Sequence, residues 1–172
     1  MTLTQTAPDT IRVERLIDAP PETVWAYLVE DEKRGRWFAA GPLEPRVGGA
    51  LTFTFDHDNL SANPVAYPEK YAASKGFVSH GTVTAFDPPR LLAFEGGTGS
   101  GEARFELTPE EGKTRLVIIH SGLLTRGDRT GTAAGWISHL DALAAVLAGG
   151  QLPDFWAAHA KSEAAAEAAL PE

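Results

Sequence analysis

Five histidines and no cysteine set the range of chemistry open to this chain. Without cysteine there is no thiol nucleophile, no disulfide and no thiolate metal site. His57 stands between Asp56 and Asp58, a grouping that invites a metal ion. Neighbours in an extended chain point to opposite faces, so these three side chains cannot readily converge on one centre. The expectation is therefore a solvent-facing strand end and no metal site. No His-x-x-x-His or His-Glu-x-x-His spacing occurs either. His120 alternates with Leu116 and Ile118 on what reads as the inner face of a strand. There it is either satisfied by a backbone carbonyl, as buried polar groups normally are, or free to bond a ligand and move a proton near neutral pH. His139 follows Trp136 by three residues and either borders the same interior or lies on a helix surface. His80 and His159 show no pattern.

Other polar groups offer less. Glu95 and Arg104 lie on adjacent predicted strands, where they read as a cross-strand ion pair or, alternatively, an anchor for a charged ligand. Ser121-Gly122 and Ser138-His139 lack the flanking glycines of a nucleophile elbow. The run Gly96 to Gly101 resembles a phosphate loop, yet no Lys-Ser or Lys-Thr pair follows and it joins two strands, so it reads as a flexible hairpin tip. The aromatic residues carry more weight. Trp37, Phe38, Phe53, Phe55, Phe94, Phe105 and Trp136 come from every part of the chain that should form the interior. All of these but Phe38, with Leu140, His120, His139 and Arg104, form the candidate ligand-binding set. Small residues among them, Ala103 and Ala144, leave room for a pocket of the usual apolar kind with a few polar anchors.

The elements that must position these residues follow from periodicity. Ile11, Val13, Arg15 and Ile17 alternate as a first strand, after a polar segment expected to be a loose tail over residues 1–10. Pro20-Pro21 ends the strand and opens a helix whose buried stripe is Val24, Trp25 and Leu28. A second short helix is expected from Glu30 to Trp37, with Glu30 and Arg34 as an i,i+4 pair. Strands then follow in close succession: Leu43–Val47, Ala50–Asp56, Gly76–Phe86, Leu91–Glu95, Glu102–Thr108 and Lys113–Ser121, with Glu110-Glu111-Gly112 as a hairpin turn. Such an order predicts an antiparallel meander. One long stretch, His57 to Lys75, interrupts it. A long helix is expected from about Thr130 to Leu147, with Trp136, Leu140, Leu143 and Leu147 on one face, ended by Gly149-Gly150. A last, alanine-rich helix over Pro153–Leu170, anchored by Phe155 and Trp156, reads as peripheral or as packing on a second subunit.

Composition bounds the rest. The chain has 172 residues, 43% hydrophobic and 22% charged, which suits one domain with a full core. A net charge of −8 argues against nucleic acid and against anionic membrane surfaces as partners. The first ten residues lack the features of a signal peptide and no apolar run approaches ~18 residues, so a cytoplasmic protein is expected.

Six motifs, in order, resemble the Activator of Hsp90 ATPase homologue 1-like family of the START-like, helix-grip (SRPBCC) superfamily. They are Arg15-Leu16-Ile17-Asp18-Ala19-Pro20-Pro21-Glu22-Thr23-Val24-Trp25; Arg36-Trp37-Phe38; Gly48-Gly49; Gly81-Thr82-Val83 with Asp87-Pro88-Pro89-Arg90-Leu91-Leu92; Thr114 to Leu123; and Gly135-Trp136 with Leu140 and Leu143. The resemblance covers about residues 11–148. It implies an α+β helix-grip fold: a curved antiparallel sheet of six to seven strands wrapped around a long C-terminal helix, with two short helices after the first strand. On that division residues 1–10 are a tail, 11–148 the domain and 151–172 a helical extension. The function it implies is binding of a hydrophobic or aromatic small molecule between the long helix and the sheet, without a cofactor. A cyclase- or hydrolase-like enzyme acting on a cyclic or polyketide-like substrate, with His120 or His139 as acid/base, is the alternative. A co-chaperone-like interaction domain is the third reading, and a homodimer is plausible.

Overall fold

The computed structural model describes residues 1–171. Seven strands form one antiparallel curved sheet: β1 (Thr2–Ala7), β2 (Thr10–Ile17), β3 (Ala50–Thr54), β4 (Val78–Asp87), β5 (Leu91–Gly96), β6 (Glu102–Glu110) and β7 (Lys113–Ser121). Their order across the sheet is β1-β2-β7-β6-β5-β4-β3. Helices α1 (Pro21–Val29) and α2 (Asp31–Arg34) follow β2, and α3 (Arg126–Leu147) and α4 (Phe155–Ala169) close the chain. The meander and the α+β helix-grip class are as expected.

The first ten residues correct the expectation. They are not a loose tail: Thr2–Ala7 pairs with β2, and Leu3 packs against the core. A strand at the sheet edge needs only one apolar contact face, so its polar composition disguises it. The hairpin between β6 and β7 closes on Glu110 opposite Lys113, and its two loop residues, Glu111 and Gly112, both have positive φ, 50° and 81°. That is the turn whose twist matches the flanking strands.

Residues 30–41 also depart from the reading. Lys33, rather than Arg34, pairs with Glu30, at 2.7 Å. Arg34 is buried and donates to the carbonyls of Ala39, Leu28, Val29 and Gly41. The helical run stops at Arg34, whose guanidinium gathers carbonyls from both sides of it. The short segment Leu43–Val47 makes only an isolated bridge, Leu43 to Leu51.

Helix α3 starts four residues earlier than its apolar stripe suggests. Thr125 accepts from the Asp128 amide at 3.0 Å, and Asp128 accepts from the Thr125 amide at 2.9 Å. This reciprocal cap satisfies two amides that the first turn leaves open. Trp136, Leu140 and Leu143 are buried against the sheet, while Leu147 is half-buried. No helix among the described residues is long and apolar enough to cross a membrane.

Candidate functional site

The space directly between α3 and the sheet is filled. A relay of rings runs through it: Phe38 on Phe53 at 5.1 Å, Phe53 on Phe94 at 5.3 Å, Phe94 on Phe105 at 5.8 Å, and Phe105 edge-on to Trp136 at 5.3 Å. Gly97 belongs to this packing, since a Cβ there would lie 2.7 Å from the Phe53 ring. Leu140 is fully buried beside it. Phe53, Phe94, Phe105 and Leu140 are therefore packed core, not cavity wall.

His120 belongs to the core as well. Its Nδ1 accepts from the Trp136 indole at 3.0 Å, so Nε2 carries the proton and donates to the Ser100 carbonyl at 3.0 Å. Both nitrogens are spent, and burial keeps the ring neutral by lowering its pKa. Arg104 lies on the opposite side of the sheet, half-exposed, paired with Glu106 at 2.6 Å. The expected pair with Glu95 does not form, because the register sets Arg104 opposite Ala93 and Glu95 opposite Glu102. Neither His120 nor Arg104 lines the cavity beside α3 and α4.

A cavity of about 380 Å³ does exist, displaced toward the N-terminal half of α3. Its walls are that half of α3, the first turns of α4, the chain between β3 and β4, and the Gly97-Thr98-Gly99 hairpin tip. Phe55, Trp136 and His139 of the expected set line it. Trp37 contributes through its carbonyl, which accepts from His139 Nδ1 at 2.8 Å. Two glycines face this volume and put no side chain into it. Gly131 and Gly135, one helical turn apart on α3, line the cavity, and a Cβ at either would meet nothing within 4 Å. Glycine inside a helix costs ~0.5–1 kcal/mol relative to alanine, so α3 gives up stability where the cavity needs room.

The last helix corrects a further expectation. It is no peripheral extension: Phe155, Trp156, Ala166 and Leu170 are buried in the common core. It also grips the long β3–β4 connection. Tyr71 stacks on Trp156 at 5.0 Å and donates to Glu163 at 2.5 Å, Lys70 pairs with Glu163 at 2.7 Å, and Ser61 accepts from the Phe155 amide at 2.9 Å. Burial and the neighbouring carboxylate push the Tyr71 phenol up, so it stays protonated.

Sequence reasoning missed two histidines that this arrangement brings in. His159 lies between Ser138 Oγ and Tyr71 Oη, each at 2.9 Å. His57, expected at a solvent-facing strand end, turns inward. Asp56 is spent capping the following turn and Asp58 on Lys75, while the His57 ring sits 5.3 Å from His139, 5.0 Å from Phe155 and 4.9 Å from Trp156. The signal available was weak: both rings meet partners from more than eighty residues away. Burial first, then the neighbouring His159, pushes His57 down to about 4. Burial and His57 hold His139 well below 6.5, and burial lowers His159. All three imidazoles are thus neutral at pH 7. No lysine, arginine or carboxylate is among the residues lining the cavity, and no group of three or more metal-ligating side chains occurs among the described residues.

Comparison with known proteins agrees with this architecture. A family model described as Activator of Hsp90 ATPase homolog 1-like protein matches residues 18–148. The protein encoded by gene BPP1335 of Bordetella parapertussis is 35% identical, with a TM-score of 0.79 over 100% of this chain and 97% of that one. CalU16 of Micromonospora echinospora is 20% identical, with a TM-score of 0.69 over 92% and 86% of the two chains. The Aha1 protein of Colwellia psychrerythraea, described as a dimer, is 20% identical with a TM-score of 0.60 over 80% and 95%. The latter two likenesses concern the fold. No protein of curated function matches the chain.

Proposed function

The chain belongs to the Activator of Hsp90 ATPase homolog 1-like family, and on that premise we propose that it binds a small apolar or aromatic molecule. The ligand occupies the cavity bounded by α3, α4 and the β3–β4 connection. The observation that carries this reading is a space of about 380 Å³ between aromatic walls, faced on α3 by Gly131 and Gly135, which put no side chain into it. That volume lies within the range of small-molecule sites. The absence of charge on the walls supports an uncharged ligand, because a buried unpaired ion costs several kcal/mol.

The test is a thermal-shift and calorimetric screen of uncharged aromatic compounds against the wild type and Gly135→Leu. A ligand of the native state must raise its stability. Binding to the wild type that is lost when leucine fills the cavity supports the assignment. Binding that Gly135→Leu leaves intact places the ligand elsewhere.

A cyclase-like reading stands second, favoured by His139 alone. The Trp37 carbonyl orients its ring as a catalytic acid/base would be oriented, but burial leaves it a weak base. Conversion of a cyclic or polyketide-like probe that persisted in His139→Gln would remove this residue from the chemistry.

A further inference from the structure

Resting on the cavity-binding reading, we infer that the ligand carries a hydroxyl group, held between His57 and His139 and bound in its protonated, uncharged form. Three observations support this. First, the tautomer of His139 is set. Its Nδ1 is 2.8 Å from the Trp37 carbonyl and must donate, so Nε2 is a bare acceptor. That nitrogen has no protein partner among the described residues. Second, His57 bonds nothing through its ring, and its Nδ1 is sealed from solvent with no partner. An orphaned N–H is rarer in protein interiors than an orphaned acceptor, so the proton belongs on Nε2, the nitrogen left for the cavity. Third, the two rings lie 5.3 Å apart and both line the cavity.

The site therefore offers one acceptor, His139, beside one donor, His57. A hydroxyl matches both at once: its O–H donates to His139 Nε2 and its oxygen accepts from His57 Nε2–H. A carbonyl or an ether can use only the donor. A carboxylate would set its charge against a lone pair, in a cavity without a cation. His159 plays no part, because Ser138 and Tyr71 occupy both of its nitrogens. The rings around the pair, Phe55, Phe155 and Trp156, suit an aromatic or alicyclic body behind the hydroxyl.

Four probes of one skeleton decide the matter: naphthalene, naphthol, methoxynaphthalene and naphthoate, substituted at the same ring carbon and titrated calorimetrically into the full chain. Two net hydrogen bonds should give naphthol about a tenfold advantage over naphthalene, and the one bond that the ether cannot make about a threefold advantage over methoxynaphthalene, with naphthoate weakest. The advantage over naphthalene should shrink to about threefold in His57→Phe, which keeps a ring in place and removes only the donor. Equal binding of naphthalene, methoxynaphthalene and naphthol by the wild type overturns the hydroxyl inference and leaves the cavity reading intact. Tightest binding of naphthoate overturns it too. If none of the four binds, the cavity reading itself falls and takes the inference with it.

Discussion

Replacing His57 by phenylalanine should make this protein more stable, and more so in acid. At pH 7 the ring is neutral in the folded state and mostly neutral in the unfolded one, so its titration contributes little. The gain there comes from removing Nδ1, buried without a partner; an unsatisfied buried polar atom costs ~1–3 kcal/mol, and the lower end suits a half-buried ring. Below pH 6.5 a second effect enters. The unfolded chain takes up a proton that the folded chain, with His57 pushed down to about 4, refuses. Stability therefore falls as pH drops from 6.5, and the loss from this group levels off once pH passes the folded value. At pH 5 that loss is about 2 kcal/mol, at ~1.4 kcal/mol per unit of separation. The variant lacks it. Its advantage should grow from about 1 kcal/mol at pH 7 to about 3 at pH 5, or from ~2–4 °C to ~6–12 °C in Tm for a chain of this size. Urea denaturation and calorimetry at the two pH values measure both numbers. Burial, the larger cause of the shifts at His139 and His159, is the same in both proteins, so their titration largely cancels in the difference. Parallel stability–pH curves for wild type and variant, or a variant less stable at both values, would refute the reasoning.

Arg34→Met should cost at least ~3 kcal/mol by urea denaturation, because four backbone carbonyls lose their donor together; Arg34→Lys should recover little of it, since an ammonium cannot fan out like a guanidinium. His120→Phe should lower stability by ~1–3 kcal/mol, orphaning the Trp136 indole N–H. It should leave ligand affinity in the calorimeter unchanged, and a large loss of affinity would return His120 to the site. Truncation after Gly150 removes Phe155, Trp156 and His159 from the cavity wall and uncovers buried surface. Its expected signs are a lower Tm, binding of a hydrophobic dye and loss of every ligand found by the wild type; an unchanged Tm would show that α4 is dispensable to the core.

Much of the frame was legible in local pattern. Alternation of Ile11, Val13 and Ile17, the Glu111-Gly112 turn and the 4-3 spacing of Trp136, Leu140 and Leu143 each report a period that one element imposes on its own residues. The family motifs extend that legibility to the order of elements. Side-chain direction along a strand was half readable: His120 was correctly set facing inward, but Arg104 was grouped with it although its polar neighbours, Glu102 and Glu106, share its outer face. Only tertiary packing decided where the cavity lies. Nothing near His57 in the chain distinguishes a solvent-facing ring from one seated against Trp156, ninety-nine residues on. Nothing in an alanine-rich helix tells that its first turn will close a pocket. Periodicity records the face an element turns to its neighbours. Whether the facing surfaces meet or leave a gap depends on side chains brought together from distant parts of the chain, and on two glycines whose effect is the space they do not fill.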